Sequence, residues 1–259
     1  MRAAIIDADS IIYIVAWNNK ESDEELVIQS CDSIVNAILK KAEATHYLGA
    51  FSASVTFRQE VYKVAKYKGN RGEKPEWITK WGPVIKNHLI TNWGFVQASK
   101  CEADDVLAAM ESLLEDSSIE LVYCSPDKDL KQLPGLHFDY SKMENELESV
   151  NFEQSIDNYL TQLLTGDATD NVKGLFGVGP VKAAKLLASC IDHLDKYQMV
   201  INQYDQFYGD YYGPIILKET ETTIGLLTPI HPLWEEYSPT MSGYRLLPVP
   251  EIDNDLPEL

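Results

Sequence analysis

The feature that most constrains this chain is an alternation of short apolar runs with helically spaced ones. Residues 3–6 (AAII), 47–51 (YLGAF), 94–98 (GFVQA) and 119–125 (IELVYCS) have the length and composition of buried strands, and 136–140 (LHFDY) reads as one more. Between the first four lie stretches with apolar residues three and four positions apart. One is 26–42, with Val27, Cys31, Ile34, Val35 and Ile38 on one face, opened by a capping box at Ser22 and Glu25. The second is 77–94, with Trp77, Trp81, Ile85 and Leu89, where Gly82-Pro83 predicts a break or kink. The third is 102–114. Strands alternating with helices predict an α/β fold built on a doubly wound, mainly parallel sheet. From about 151 to 188 the pattern changes to helix, Gly-rich turn, helix. Beyond Pro229 the chain is rich in Pro and acid and predicts an extended or partly disordered tail over 229–259.

In an open parallel sheet the carboxyl ends of the strands form the ligand crevice, and acids gather at those ends. Asp7 and Asp9 follow the first run, Glu102, Asp104 and Asp105 open the helix at 102–114, and Asp127 and Asp129 follow the run 119–125. Asp167 and Asp170 lie in TGDATDN. Singly, each has an ordinary explanation, since acids in a helix's first turn gain about 0.3–1 kcal/mol from its dipole and Asp is common in turns. Together they need another. Two unit charges about 4 Å apart repel by roughly 4 kcal/mol at an effective dielectric of about 20, so converging carboxylates require raised pKa values or bound cations. No His or Cys stands at ligand spacing beside them. All-oxygen donors point to Mg²⁺ or Mn²⁺, and this many carboxylates suit two ions. Such a pair stabilises the attacking and leaving oxygens of phosphoryl transfer.

The net charge of −18, from 22 basic and 40 acidic residues, taken alone argues against a nucleic-acid partner. Charge is segregated, however. Arg58, Lys63, Lys66, Lys68, Arg71, Lys74, Lys80 and Lys86 form a basic stretch. A second set of phosphate-binding features follows the TGDATDN acids. Gly174, Gly177 and Gly179 let a backbone approach phosphates, Pro180 opens a helix whose free amides can face them, and Lys173, Lys182 and Lys185 add positive charge. Cys31, Cys101, Cys124 and Cys190 form no CxxC pair and read as free thiols of a reducing cytoplasm. No run is long enough to span a bilayer and the N-terminus does not read as a signal peptide, so no membrane association is expected.

Five motifs, IIDADS, VTFRQEVYKVAKYKGNR, CEADDVLAA, CSPDKDLKQL and LLTGDATDNVKGLFGVGPVKAAKLL, stand in an order and spacing that resemble the flap-endonuclease-like 5′ nucleases, from about residue 3 to 190. The D-x-D form at Asp7 and Asp9 is most similar to the bacteriophage branch. The resemblance implies a PIN-like core over 1–150 with a helical gateway around 60–92, and a helix–three-turn–helix DNA-binding subdomain over 151–228. It implies hydrolysis of DNA near 5′ ends or at flaps, in phage replication or recombination in the host cytoplasm, by a monomer, with RNA–DNA hybrids as a further substrate. Two Mg²⁺ or Mn²⁺ are implied, with K⁺ at the three-turn element. Asp7, Glu102 and Asp104 match ligands of the first metal; Asp105, Asp127, Asp129, Asp167 and Asp170 match the second and its surroundings; Asp9 joins the metal set. Lys68 and Arg71, with Asp7 and Asp105, form the implied catalytic group. Arg58, Lys66, Lys68, Arg71, Lys173, Gly174, Gly177, Gly179, Lys182 and Lys185 form the implied DNA-binding group. Tyr67, Trp77 and Trp81 fall at the gateway, where they could stack on bases or pack in the core.

One departure stands out. The resemblance carries an acid just after the second strand, yet no acid lies between Phe51 and Arg58. Ala53 or Ser52 occupies the expected place, Ala53 being the position aligned with the phage branch, either a natural loss or a substitution made to trap substrate. Two other functions compete. A D-x-D phosphatase would use Asp7 as nucleophile, but has no use for the Gly-rich turn. A branched-DNA-binding protein without catalysis would explain the missing acid.

Overall fold

The computed structural model describes residues 1–114, 118–237 and 244–250. The first half runs β1 (Arg2–Asp7), α1 (Ala8–Asn18), α2 (Glu24–Lys41), β2 (His46–Phe51), α3 (Phe57–Val61), α4 (Glu76–Trp93), β3 (Val96–Gln97), α5 (Ala103–Leu113) and β4 (Glu120–Cys124). After a 3₁₀ turn at Lys128–Gln132 come β5 (Gly135–Phe138), β6 (Glu148–Val150), α6 (Phe152–Thr165), β7 (Gly166–Asp167), β8 (Val172–Lys173), α7 (Pro180–Leu187), α8 (His193–Ile224), α9 (Trp234–Tyr237) and β9 (Leu247–Pro248). The main sheet has the order β3-β2-β1-β4-β5-β6, parallel except where β6 joins β5 and β9 joins β2.

Alternate residues of β1 serve two cores, as a period of two requires. Ala4 and Ile6 pack with α1, α2 and α4, whereas Ala3 and Ile5 pack with α5 through Val106, Leu107 and Met110. Covering both faces explains why the strands are apolar throughout. A third cluster gathers α6, α7 and α8 around Leu160, Leu163, Leu175 and Leu187, and takes in Tyr62 and Tyr67. The register pairs Asp7 with Ala50 and Ile6 with Cys124. The ends of β1, β2 and β4 are therefore level, and the residues that follow them share one edge.

Several local expectations need correction. Asp23, not Ser22, caps α2, its Oδ1 accepting from Leu26 N at 3.0 Å. Ser22 instead donates to Asn19. Pro83 lies inside a continuous α4. Pro83 and Thr79 are both exposed, so the carbonyl that loses its amide partner faces water. The strand at 94–98 contracts to two residues because Gly94 closes α4 at φ 67°. Helix α1 was not anticipated, since IIYIVAW reads as an apolar run. Helix α8 was not anticipated either; it is two helices joined at Gly209 (φ 82°). Part of the supposed tail is structured. Tyr244 is buried against the α5 face and Leu247 pairs with Tyr47. Residues 238–243 and 251–259 of that expectation lie outside the described residues. No helix among the described residues is long and apolar enough to cross a membrane.

Candidate active site

At the level strand ends, Asp7, Asp9, Ser52, Glu102, Asp104, Asp127, Asp129, Asp167 and Asp170 line one opening of about 220 Å³, with Lys68, Arg71 and Lys128. Each acid has a local reason to be there. Asp7 closes β1 and caps α1, its Oδ1 accepting from Asp9 N at 3.0 Å. Its Oδ2 accepts from Ser10 Oγ (3.1 Å) and Ser125 Oγ (2.9 Å). Glu102 is the N-cap residue of α5, and Asp104 stands in that helix's first turn. Asp127 caps the 3₁₀ turn by accepting from Asp129 N at 2.9 Å. Asp167 accepts from Thr169 N and Asp170 N, which folds the TGDATD loop toward the sheet edge.

Cationic and phenolic groups partner two of these acids, Glu102 and Asp170. Lys68 Nζ lies 2.5 Å from Glu102 Oε1 and 3.4 Å from Asp170 Oδ2. Arg71 donates to Asp170 Oδ1 at 2.7 Å. The Tyr67 hydroxyl lies 3.0 Å from Glu102 Oε2 and 2.7 Å from Asp170 Oδ2 and shares its one proton between them. Lys68 sits at φ 54° with its amide bonded to Asp170 O. Burial and the neighbouring Asp9 push Asp7 up to about 7. Burial and Asp105 hold Asp104 well above the usual carboxylate range. Burial, Asp127 and Asp167 raise Asp129 to about 8. Burial opposes ionisation of Asp167, yet Lys128 and backbone amides outweigh it and hold that group low.

Two expected site residues are elsewhere. Asp105 is fully buried, and Arg58 grips both its oxygens, NH2 to Oδ1 at 2.8 Å and NH1 to Oδ2. Asp105 also accepts from Glu102 N and Leu227 N, and Arg58 donates further to the carbonyls of Thr223 and Gly225. Asp105 therefore stands outside the lining of the pocket, paired with Arg58, and Arg58 is not exposed to meet DNA. The pair fastens α3, α5 and the end of α8 together. Ala53 does not line the pocket; its amide bonds Cys101 O. The neutral residue that faces the acids is Ser52. Tyr67 is buried under the acids and Trp81 is in the core, so neither offers a stacking face. Helix α4 packs against α1 and α2, leaving residues 62–75 as the irregular part of the expected gateway. Reasoning from sequence also missed Ser10, Ser125 and Lys128, although a Ser at a strand end just ahead of two acids, as in CSPDKD, was a usable signal.

On the helical side, Lys66, Lys173, Lys182 and Lys185 are exposed, as are Gly177 (φ 76°) and Gly179, which precedes Pro180 at the start of α7. Gly174 is different. A Cβ there would lie 2.1 Å from Thr165 C, so its missing side chain lets two backbones touch rather than admitting a phosphate.

The donor set suits a hard divalent ion in kind and in place, being all carboxylate and hydroxyl oxygen. As the side chains stand, no three acidic, His or Cys groups among the described residues close on a single point that would hold an ion. Glu102 and Asp170 are turned onto Lys68, Arg71 and Tyr67 instead.

Comparison with known proteins bears on family and fold. DNA polymerase I of Streptococcus pneumoniae is 31% identical over 171 residues, covering 60% of this chain and 19% of the polymerase, so the chain spans about a fifth of that relative. The 5′-3′ exonuclease of Aquifex aeolicus is 31% identical over 162 residues, covering 58% of this chain and 55% of the relative. Among solved structures, bacteriophage T5 5′-exonuclease with bound zinc has a TM-score of 0.68 at 18% identity, covering 87% of this chain and 90% of its own. T5 flap endonuclease in complex with DNA and metal ions has a TM-score of 0.63 at 17% identity, with 86% and 89% covered. These two share the fold. Residues 2–159 match the family described as 5′-3′ exonuclease, N-terminal resolvase-like domain. The chain therefore belongs to that family.

Proposed function

We propose that this chain hydrolyses DNA phosphodiester bonds from 5′ ends or at flaps, with two divalent cations, Mg²⁺ or Mn²⁺. The observation that carries the reading is one pocket lined by eight carboxylates with Lys68 and Arg71 in its wall. Asp7, Asp9, Glu102 and Asp104 would hold one cation, and Asp127, Asp129, Asp167 and Asp170 the other. Bound there, such ions stabilise charge on the attacking and leaving oxygens of phosphoryl transfer.

The protein's own groups orient the substrate. Lys68 and Arg71 pair with Glu102 and Asp170, and a phosphate entering the pocket offers the same charge and competes for both side chains. The buried Tyr67 stays protonated and steadies Glu102 and Asp170 as donor. At the other end, the free amides of the Gly177–Gly179 turn and of α7 would receive the phosphates of the duplex, with Lys66, Lys173, Lys182 and Lys185 adding charge. This is the helix–three-turn–helix reading of 151–228, and K⁺ belongs at that turn. RNA–DNA hybrids are a further substrate and the protein acts as a monomer. The D-x-D motif supports a setting in phage replication or recombination, in the host cytoplasm.

The test is cleavage of 5′-labelled duplex, flap and RNA–DNA substrates with Mg²⁺. Short labelled products that disappear with chelator are expected. Tight binding to flaps with no product would favour the branched-DNA-binding alternative, which the neutral Ser52 motivates.

A further inference from the structure

The three central strands end level, but they do not contribute alike. β1 ends in Asp7, and β4 leads through Ser125 to Asp127 and Asp129, whereas β2 leads to Ser52. Ser52 is held firmly in the pocket wall. Its Oγ accepts from Ala103 N at 2.9 Å, beside Glu102 and Asp104, and its carbonyl accepts from Gln97. Its amide donates to Asp9 Oδ2 at 3.0 Å. The Asp9 carboxylate thus lies across the end of β2, although its backbone belongs to the first turn of α1. Its other oxygen, Oδ1, has no hydrogen-bond donor among the described residues, and Asp9 lines the pocket.

We propose that Asp9 supplies, from α1, the negative charge that β2 does not provide at its own end. This rests on the nuclease reading of the pocket. The two positions are neighbours through the Ser52 N–Asp9 Oδ2 contact, so a carboxylate on either one occupies the same lobe. Carboxylates on both would face each other at short range and repel. The pair therefore behaves as one site that tolerates a single acid. The ordinary alternative is that Asp9 only complements the dipole of α1. In that case its charge would matter to the helix and not to metal binding, and an acid at 52 could not replace it.

The experiment compares wild type, Asp9→Asn, Ser52→Asp and the double variant Asp9→Asn/Ser52→Asp. Asn keeps an oxygen to accept from Ser52 N and removes only the charge, so folding should survive, and circular dichroism checks that it does. Calorimetric and electron-paramagnetic titration with Mn²⁺ gives stoichiometry and affinity, and flap cleavage gives rate. We expect Asp9→Asn to weaken Mn²⁺ binding by about 10–100-fold, of the order seen when a metal site loses a supporting group. The double variant should regain most of that loss, and Ser52→Asp alone should bind no better than wild type. Unchanged Mn²⁺ binding in Asp9→Asn overturns the assignment, as does a double variant no better than the single one. Wild type that binds no Mn²⁺ at all overturns the nuclease reading and this inference with it.

Discussion

Two clusters of opposite charges stand side by side here and do opposite work. Asp104 and Asp105 are adjacent in sequence, as are the segments that carry Arg58 and Lys68. Asp105 and Arg58 are sealed, 0% and 2% exposed, bonded to each other and to backbone groups around them. Lys68, Arg71, Glu102 and Asp170 open onto the pocket, with the Arg71 side chain 53% exposed. In a helix successive residues point about 100° apart, so EADD sends one acid to the pocket and the next into the interior. A closed pair fixes geometry. An open pair can exchange partners, and the ligands it would accept are phosphate and a divalent cation.

The comparison breaks first at the open cluster. Glu102→Gln and Lys68→Ala should each lower single-turnover flap cleavage by about 10²–10³-fold, of the order that loss of a charge-stabilising group costs. Thermal melts should show both variants folded. Asp105→Ala should do the reverse. Removing one partner of a buried ion pair costs about 3–5 kcal/mol, so denaturant unfolding should show a stability loss of that order. Residual activity at low temperature should track the folded fraction. A stable, inactive Asp105→Ala would return that residue to the active site.

The third test is pH. The folded value for Asp7, about 7, lies above its unfolded value of 3.8. Between these values the cation-free folded state holds a proton that the unfolded chain has lost. Stability from this group is therefore greatest at low pH and falls as pH rises toward about 7. Cation-free protein should lose on the order of 4 kcal/mol across that window from Asp7, and Asp7→Asn should flatten the curve. Added Mn²⁺ should stabilise more at pH 8 than at pH 5. The smallest effect is at the helical turn. Lys182→Ala should weaken duplex binding by a similar factor for every sequence and lower the salt slope by about one. A sequence-dependent loss would mean that bases are read there.

The contrast between the clusters also marks the limit of what sequence alone can tell. The sheet was legible because buried parallel strands must be apolar, and the acids were legible because strand ends must share an edge. Burial of Arg58 was not, because its partners at Asp105, Thr223 and Gly225 are far apart in the chain and a basic stretch looks uniform until folded. Of the two candidates Ala53 and Ser52, alignment favours Ala53, because spacing cannot tell which residue of a loop turns inward. Helix α1 was hidden by its own hydrophobicity, since a helix packed against both α2 and α4 loses the polar stripe that reveals periodicity. Pro83 was read as a breaker because its exposure, which makes it tolerable, is a tertiary fact. The folding back of Tyr244 and Leu247 was masked by the acidic composition around them.

The central claim is that the acids at the strand ends form one divalent-cation site. Diffraction from Mn²⁺-soaked crystals, measured at the manganese absorption edge, tests it most directly. Anomalous density is expected inside the pocket, against Asp7, Glu102 and Asp104 and against the Asp127, Asp129, Asp167 and Asp170 wall, with Lys68 swung away from Glu102. Manganese found only on surface carboxylates, with Lys68 still paired to Glu102, would contradict it.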